Sequence, residues 1–126
     1  TQIDRDENNV PSFRTYSFNV DSNRYFYPAS TIKLPMVLLA LEKLNEINID
    51  GLDRFTPMFH DSVYAGQLSA HADSTSASGL PSIDHYAKKI LIVSDNDASN
   101  RLYEFVGQQR VNESLNSRGY RCRMLH

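Results

Sequence analysis

A chain of 126 residues has room for one small domain or part of a larger one. Forty per cent hydrophobic and ten per cent aromatic residues suffice for a packed core and exclude wholesale disorder. A net charge of −2 gives no electrostatic reason to expect nucleic acid or an anionic membrane as partner, and the apolar run Leu34 to Leu41 falls far short of the roughly 20 residues a bilayer span needs.

In chain order, residues 1–10 are polar and charged and are expected to form a terminal tail. From Ser12, the residues Phe13, Thr15, Tyr16, Phe18 and Val20 favour strand. Asp21-Ser22-Asn23 is turn chemistry, and Tyr25-Phe26-Tyr27 resumes strand character, so 11–29 is expected to be a hairpin. A helix is predicted from about Ser30 to Ile47, with Met36, Leu39, Ala40, Leu44 and Ile47 on the face directed at the core. Val37, Leu38 and Leu41 widen that stripe, which marks a central helix, and Pro35 is tolerable only near a helix start, which places Ser30 in the first turn.

Asp53 to Gly79 shows little periodicity and is expected to be mostly loop bordering a cleft, with a short helix around Pro57 to Tyr64. Within it, His60-Asp61 and His71-x-Asp73 lack metal-ligand spacing and are read as loop polarity, so no metal or cofactor is expected. Helical periodicity returns at Ile83, Tyr86, Ala87, Ile90 and Leu91, with Ser82 as N-cap. The pair Lys88-Lys89 in this segment is read as a solvated face. Asp95 or Asn96 is expected to cap a further helix through Leu102, Phe105 and Val106, closed by Gly107. A last short helix carrying Val111 and Leu115 stops at Gly119, and Tyr120 to His126 begin to look strand-like. The lone Cys122 there cannot close an internal disulfide and leaves the redox compartment open.

Two short patterns carry chemistry. Ser30-x-x-Lys33 places a hydroxyl and an amine three residues apart on one helix face, the geometry of a nucleophile beside its base. Composition alone predicts roughly 0.4 such matches in this chain. Ser94-Asp95-Asn96 lies at a helix-to-helix junction, where short polar residues also serve simply as caps, yet its joint occurrence with the first pattern is expected in only about 0.04 of such chains. The two together outweigh either alone.

With Pro28-Ala29-Ser30-Thr31-Ile32-Lys33 and Ser94-Asp95-Asn96-Asp97-Ala98-Ser99-Asn100-Arg101-Leu102 in this order, the sequence resembles the serine β-lactamase and penicillin-binding protein superfamily, most closely the class A β-lactamases. The resemblance implies an α+β fold, with an N-terminal antiparallel hairpin, a mostly helical region over 30–119, and C-terminal strands that are absent from these residues. It implies that Ser30 is the acylated nucleophile and Lys33 its activating base or part of the relay. It further implies that Ser94 passes a proton to the departing lactam nitrogen, that Asn96 holds Lys33 and the substrate's side-chain amide, and that Asp95 is structural. The substrate would be a small β-lactam or peptide-like molecule, and the location periplasmic or secreted.

The departures from the family pattern are specific. No Lys here is followed by Ser/Thr-Gly, so the third motif is missing, and the glutamates downstream of Ser94, Glu104 and Glu113, fall inside predicted helices. The 126 residues are therefore expected to be the N-terminal part of a longer β-lactamase-like domain, incomplete for full turnover. A penicillin-binding DD-peptidase, transpeptidase or esterase using the same Ser-Lys pair remains open, as does a non-catalytic binding module in which Ser30 and Ser94 merely cap helices.

Overall fold

The computed structural model describes residues 1–21, 23–62, 66 and 68–120. Its elements are a two-stranded antiparallel hairpin followed by a helical cluster, an α+β architecture. Strands β1 (Gln2–Arg5) and β2 (Pro11–Arg14) pair with Ile3 opposite Phe13 and Asp4 opposite Ser12. Asp6 closes the turn: its Oδ1 accepts from Asn8 N–H at 2.9 Å and Val10 N–H at 2.8 Å, and Asn9 takes the left-handed conformation that asparagine tolerates.

This hairpin lies earlier in the chain than the sequence pattern places it. Residues 1–10, expected to be a tail, contribute its first strand. The turn at Asp21 also forms, with Asn23 N–H donating to Asp21 Oδ1, but its flanks make no ladder among the described residues. Phe18, Tyr25, Phe26 and Tyr27 consequently stay exposed.

A 3₁₀ turn at Ala29–Ile32 leads into α1 (Lys33–Ile47), which ends where Asn48 turns left-handed. Pro35 falls in the first α-helical turn, where its missing N–H leaves no bond unmade. Three more helices follow: α2 (Ile83–Val93), α3 (Asn96–Val106) and α4 (Gln108–Ser117). Ser82 caps α2 by accepting from His85 N–H, as expected, and of the two candidates for α3 it is Asp95 that caps, by accepting from Ala98 N–H, while Asn96 is the first helical residue.

The core joins Met36, Val37, Leu39 and Ala40 of α1 to Ile83, Tyr86 and Ile90 of α2, Ala98, Leu102 and Val106 of α3, and Val111 and Leu115 of α4. Helix α1 packs against all three others, so the leucine-rich segment is the hub of the cluster. Polar ties reinforce it. Lys43 Nζ caps the end of α3 by donating to Phe105 O at 2.5 Å, while Glu46 pairs with Arg110 of α4 and Glu42 with Arg118 just past its end.

The connection from Asn48 to Pro81 contains no helix among its described residues; Pro57 and His60 instead form isolated bridges to Ser82 and Ala70. Val63 and Tyr64, the end of the expected short helix, lie outside the described residues, as do Arg121 to His126 with Cys122. Arg101 of α3 holds this connection by donating to Leu68 O, and Glu104 meets His60 Nδ1 at 3.5 Å. No helix among the described residues is long and apolar enough to cross a membrane.

Candidate functional site

The mouth of α1 and the junction between α2 and α3 face each other. Residues three apart eclipse in a 3₁₀ turn, so Ser30 and Lys33 follow one edge, and the Lys33 N–H donates back to Ser30 O. The Ser30 side chain is exposed, and no hydrogen bond joins its hydroxyl to Lys33. Lys33 differs: it is 9% exposed, one of two polar or charged residues buried among the described residues.

Its amine is enclosed by the second motif. Lys33 Nζ donates to Ser94 O at 2.5 Å, to Ser94 Oγ at 3.1 Å and to Asn96 Oδ1 at 2.6 Å. Three acceptors match the three donors of an ammonium group, and all come from residues more than sixty positions away in the chain. The apolar helix carries the lysine inward, and the α2–α3 junction supplies the polar partners that a buried amine requires.

Backbone conformation sets the aim of both walls. Ser94 ends α2 at φ 55°, donating its N–H to Ile90 O, and Ala29 precedes Ser30 at φ 46°. Asn9, Asn19 and Asn48 also have positive φ, a residue type that tolerates it; Ala29 and Ser94 are the only described residues other than asparagine and glycine that do. Each costs about 1–2 kcal/mol. Ala29 leads into Ser30 and Ser94 bonds Lys33, so both lie beside the two motifs, where local strain accompanies functional geometry. In this conformation Ser94 turns both its carbonyl and its hydroxyl toward Lys33.

Asp95 points away from the amine. Its Oδ1 accepts from Ala98 N–H at 2.7 Å, and its Oδ2 lies 3.6 Å from Lys89 Nζ. Lys88 matches the expected solvated face, paired with Asp84 one turn back. Lys89 does not: it is partly buried and reaches Asp73 Oδ2 at 3.1 Å as well as Asp95. The sequence held a faint signal for this, since Lys89 stands beside Ile90 at the edge of the buried face, but its Asp73 partner lies sixteen residues upstream in a segment without periodicity.

Asp73 receives further bonds from Thr75 and from His85 Nε2 at 2.9 Å. The Thr75 bonds, with help from His85 and Lys89, hold its carboxyl well below the usual carboxylate range despite partial burial.

Glu104 is engaged elsewhere, between His60 and Arg101 at 3.5 Å each. Glu113, on α4, bonds to Gln109 of the same helix. No cluster of His, Cys, Asp and Glu among the described residues has the arrangement of a metal site. The site therefore offers an exposed hydroxyl, a buried amine, a second hydroxyl on that amine and an amide beside it, a set suited to proton transfer around an acyl group.

The family model described as the Beta-lactamase enzyme family matches residues 9–126. No curated protein and no solved structure matches the chain.

Proposed function

Because the chain belongs to the beta-lactamase enzyme family, we propose that it provides the serine nucleophile of a hydrolase that opens β-lactams through a covalent acyl-enzyme on Ser30, in the manner of class A enzymes. The observation that carries this reading is the bonding of Lys33 Nζ to both Ser94 Oγ and Asn96 Oδ1.

In the proposed reaction Lys33 first releases one of its three protons to solvent, which frees a lone pair on Nζ; the Ser30 Oγ then attacks the lactam carbonyl carbon and its proton passes to that lone pair. Catalytic bonds missing from a ligand-free arrangement commonly form when substrate docks, so the open Ser30–Lys33 gap is compatible with this step. The developing oxyanion is stabilised by backbone N–H groups, of which Ser30's own, in the first turn before α1, is one. As the C–N bond breaks, Ser94 Oγ–H gives its proton to the lactam nitrogen and is reprotonated by the Lys33 ammonium across the 3.1 Å contact. The lactam carbonyl is then esterified to Ser30, and all atoms of the substrate are retained. Asn96, bonded to Lys33 through Oδ1, keeps its NH₂ for a substrate amide carbonyl. The proposed location is periplasmic or secreted, where such substrates are met.

The engagement of Glu104 with His60 and Arg101 favours a second reading at the next step. With that carboxylate committed elsewhere, these residues acylate faster than they hydrolyse the ester, and the chain behaves as a penicillin binder like a DD-peptidase or transpeptidase. A chromogenic cephalosporin tests both readings. A stoichiometric burst followed by slow turnover is expected, and Lys33→Met should slow the burst by about 10²–10⁴-fold, the range of general acid–base catalysis. A burst of unchanged rate in Lys33→Met would remove the lysine from the mechanism.

A further inference from the structure

Resting on that reading of the Ser94–Asn96 segment, we propose that Asp73 and Lys89 are positioning residues that fix the Ser94-Asp95-Asn96 wall of the cleft by clamping it to the 73–79 loop.

The clamp is a continuous chain of contacts. The loop closes on itself through Asp73 N–H to Gly79 O, Ser76 N–H to Asp73 O and Gly79 N–H to Ser76 O, each 3.0 Å. Asp73 then uses both carboxylate oxygens. Oδ1 accepts from Thr75 N–H and Thr75 Oγ1, which fixes the loop; Oδ2 meets His85 Nε2 at 2.9 Å and Lys89 Nζ at 3.1 Å, which fixes the loop to α2. Lys89 extends the chain to Asp95 Oδ2 at 3.6 Å, and Asp95 Oδ1 ends it on Ala98 N–H. The Lys89 carbonyl also accepts from Asp95 N–H at 3.4 Å, so one residue holds Asp95 by both backbone and side chain.

The neighbours of Asp95 explain why this matters. Ser94 and Asn96 flank it and hold Lys33, yet Ser94 sits in a left-handed conformation that relaxes unless its surroundings enforce it. The Asp95 side chain is the anchor on the side opposite Lys33, and Lys89 is the cation that orients its second oxygen. The side chains of Asp73, Lys89 and Asp95 are 18%, 26% and 26% exposed, shielded enough for the contacts to hold direction as well as charge.

The test uses the full chain as Lys89→Met, Lys89→Arg and Asp73→Asn, with two readouts. Hydrogen exchange at the Ala98 N–H should quicken by about fivefold in Lys89→Met and Asp73→Asn, the scale of a partly exposed ion pair, while Leu102 and Val106 keep their wild-type rates. Lys89→Arg should return Ala98 to the wild-type rate. The rate of acylation by a fluorescent penicillin should fall and recover in the same order. Unchanged exchange at Ala98, or quickened exchange with an unchanged acylation rate, overturns the proposal. If the wild-type chain is not acylated at all, the hydrolase reading fails, and exchange at Ala98 alone decides whether the clamp exists.

Discussion

Replacing Ser94 by glycine should stabilise the chain relative to alanine while both variants lose the proton donor. Ser94 holds φ 55°, a conformation that costs an L-residue about 1–2 kcal/mol. Alanine keeps that cost and removes only the hydroxyl, whose place on this exposed residue water can take. Glycine removes the cost but brings about 0.5–1 kcal/mol of extra chain entropy in the unfolded state. The difference between the two variants is therefore about 0–1.5 kcal/mol, centred near 0.75 kcal/mol, in favour of glycine. In a chain of 126 residues the central value corresponds to a melting temperature about 2–5 °C higher for Ser94→Gly than for Ser94→Ala. Thermal unfolding followed by circular dichroism measures it, and the acylation rate of both variants should fall by at least about 10²-fold. A Ser94→Gly chain that melts at or below Ser94→Ala would refute the argument that strain is stored at this residue.

Two further outcomes probe the scaffold around the site. Leu102 is fully buried at the centre of the core, so Leu102→Ala should cost about 2–5 kcal/mol in urea unfolding, whereas Leu38→Ala, on the exposed flank of α1, should cost under about 1 kcal/mol; equal effects would contradict the packing described. Burial, aided by the nearby Arg101 charge and opposed by Glu104, holds the His60 imidazole below its ordinary value of 6.5, so the folded chain binds its proton less readily than the unfolded chain. The stability this contributes is present above about pH 6.5 and lost as pH falls through the folded value, and His60→Gln should flatten the stability profile between pH 7 and pH 5. An unchanged or steeper slope in His60→Gln would contradict it.

The helices were legible because their information is local. The spacing of Met36, Leu39 and Ala40, the Ser82 and Asp95 caps, and Gly107 after Val106 each act within a few residues, and each appears where the pattern put it. The hairpin was misplaced because Asp6 and Asp21 carry the same turn chemistry, and only long-range pairing decides which turn closes a ladder. The meeting of Lys33 with Ser94 and Asn96 was legible through motif order, which carries three-dimensional information that periodicity lacks. Lys89 was misread as solvent-facing because its anionic partners, Asp73 and Asp95, come from outside its helix. The left-handed Ala29 beside Ser30 left no trace in composition at all.

The central claim is that Ser30 is the acylated residue, and covalent capture tests it most directly. Incubation with benzylpenicillin followed by intact-mass measurement and peptide mapping should show a gain equal to one whole penicillin on the peptide bearing Ser30, and no gain in Ser30→Ala. An unmodified wild-type chain, or an adduct that persists in Ser30→Ala, would contradict the account.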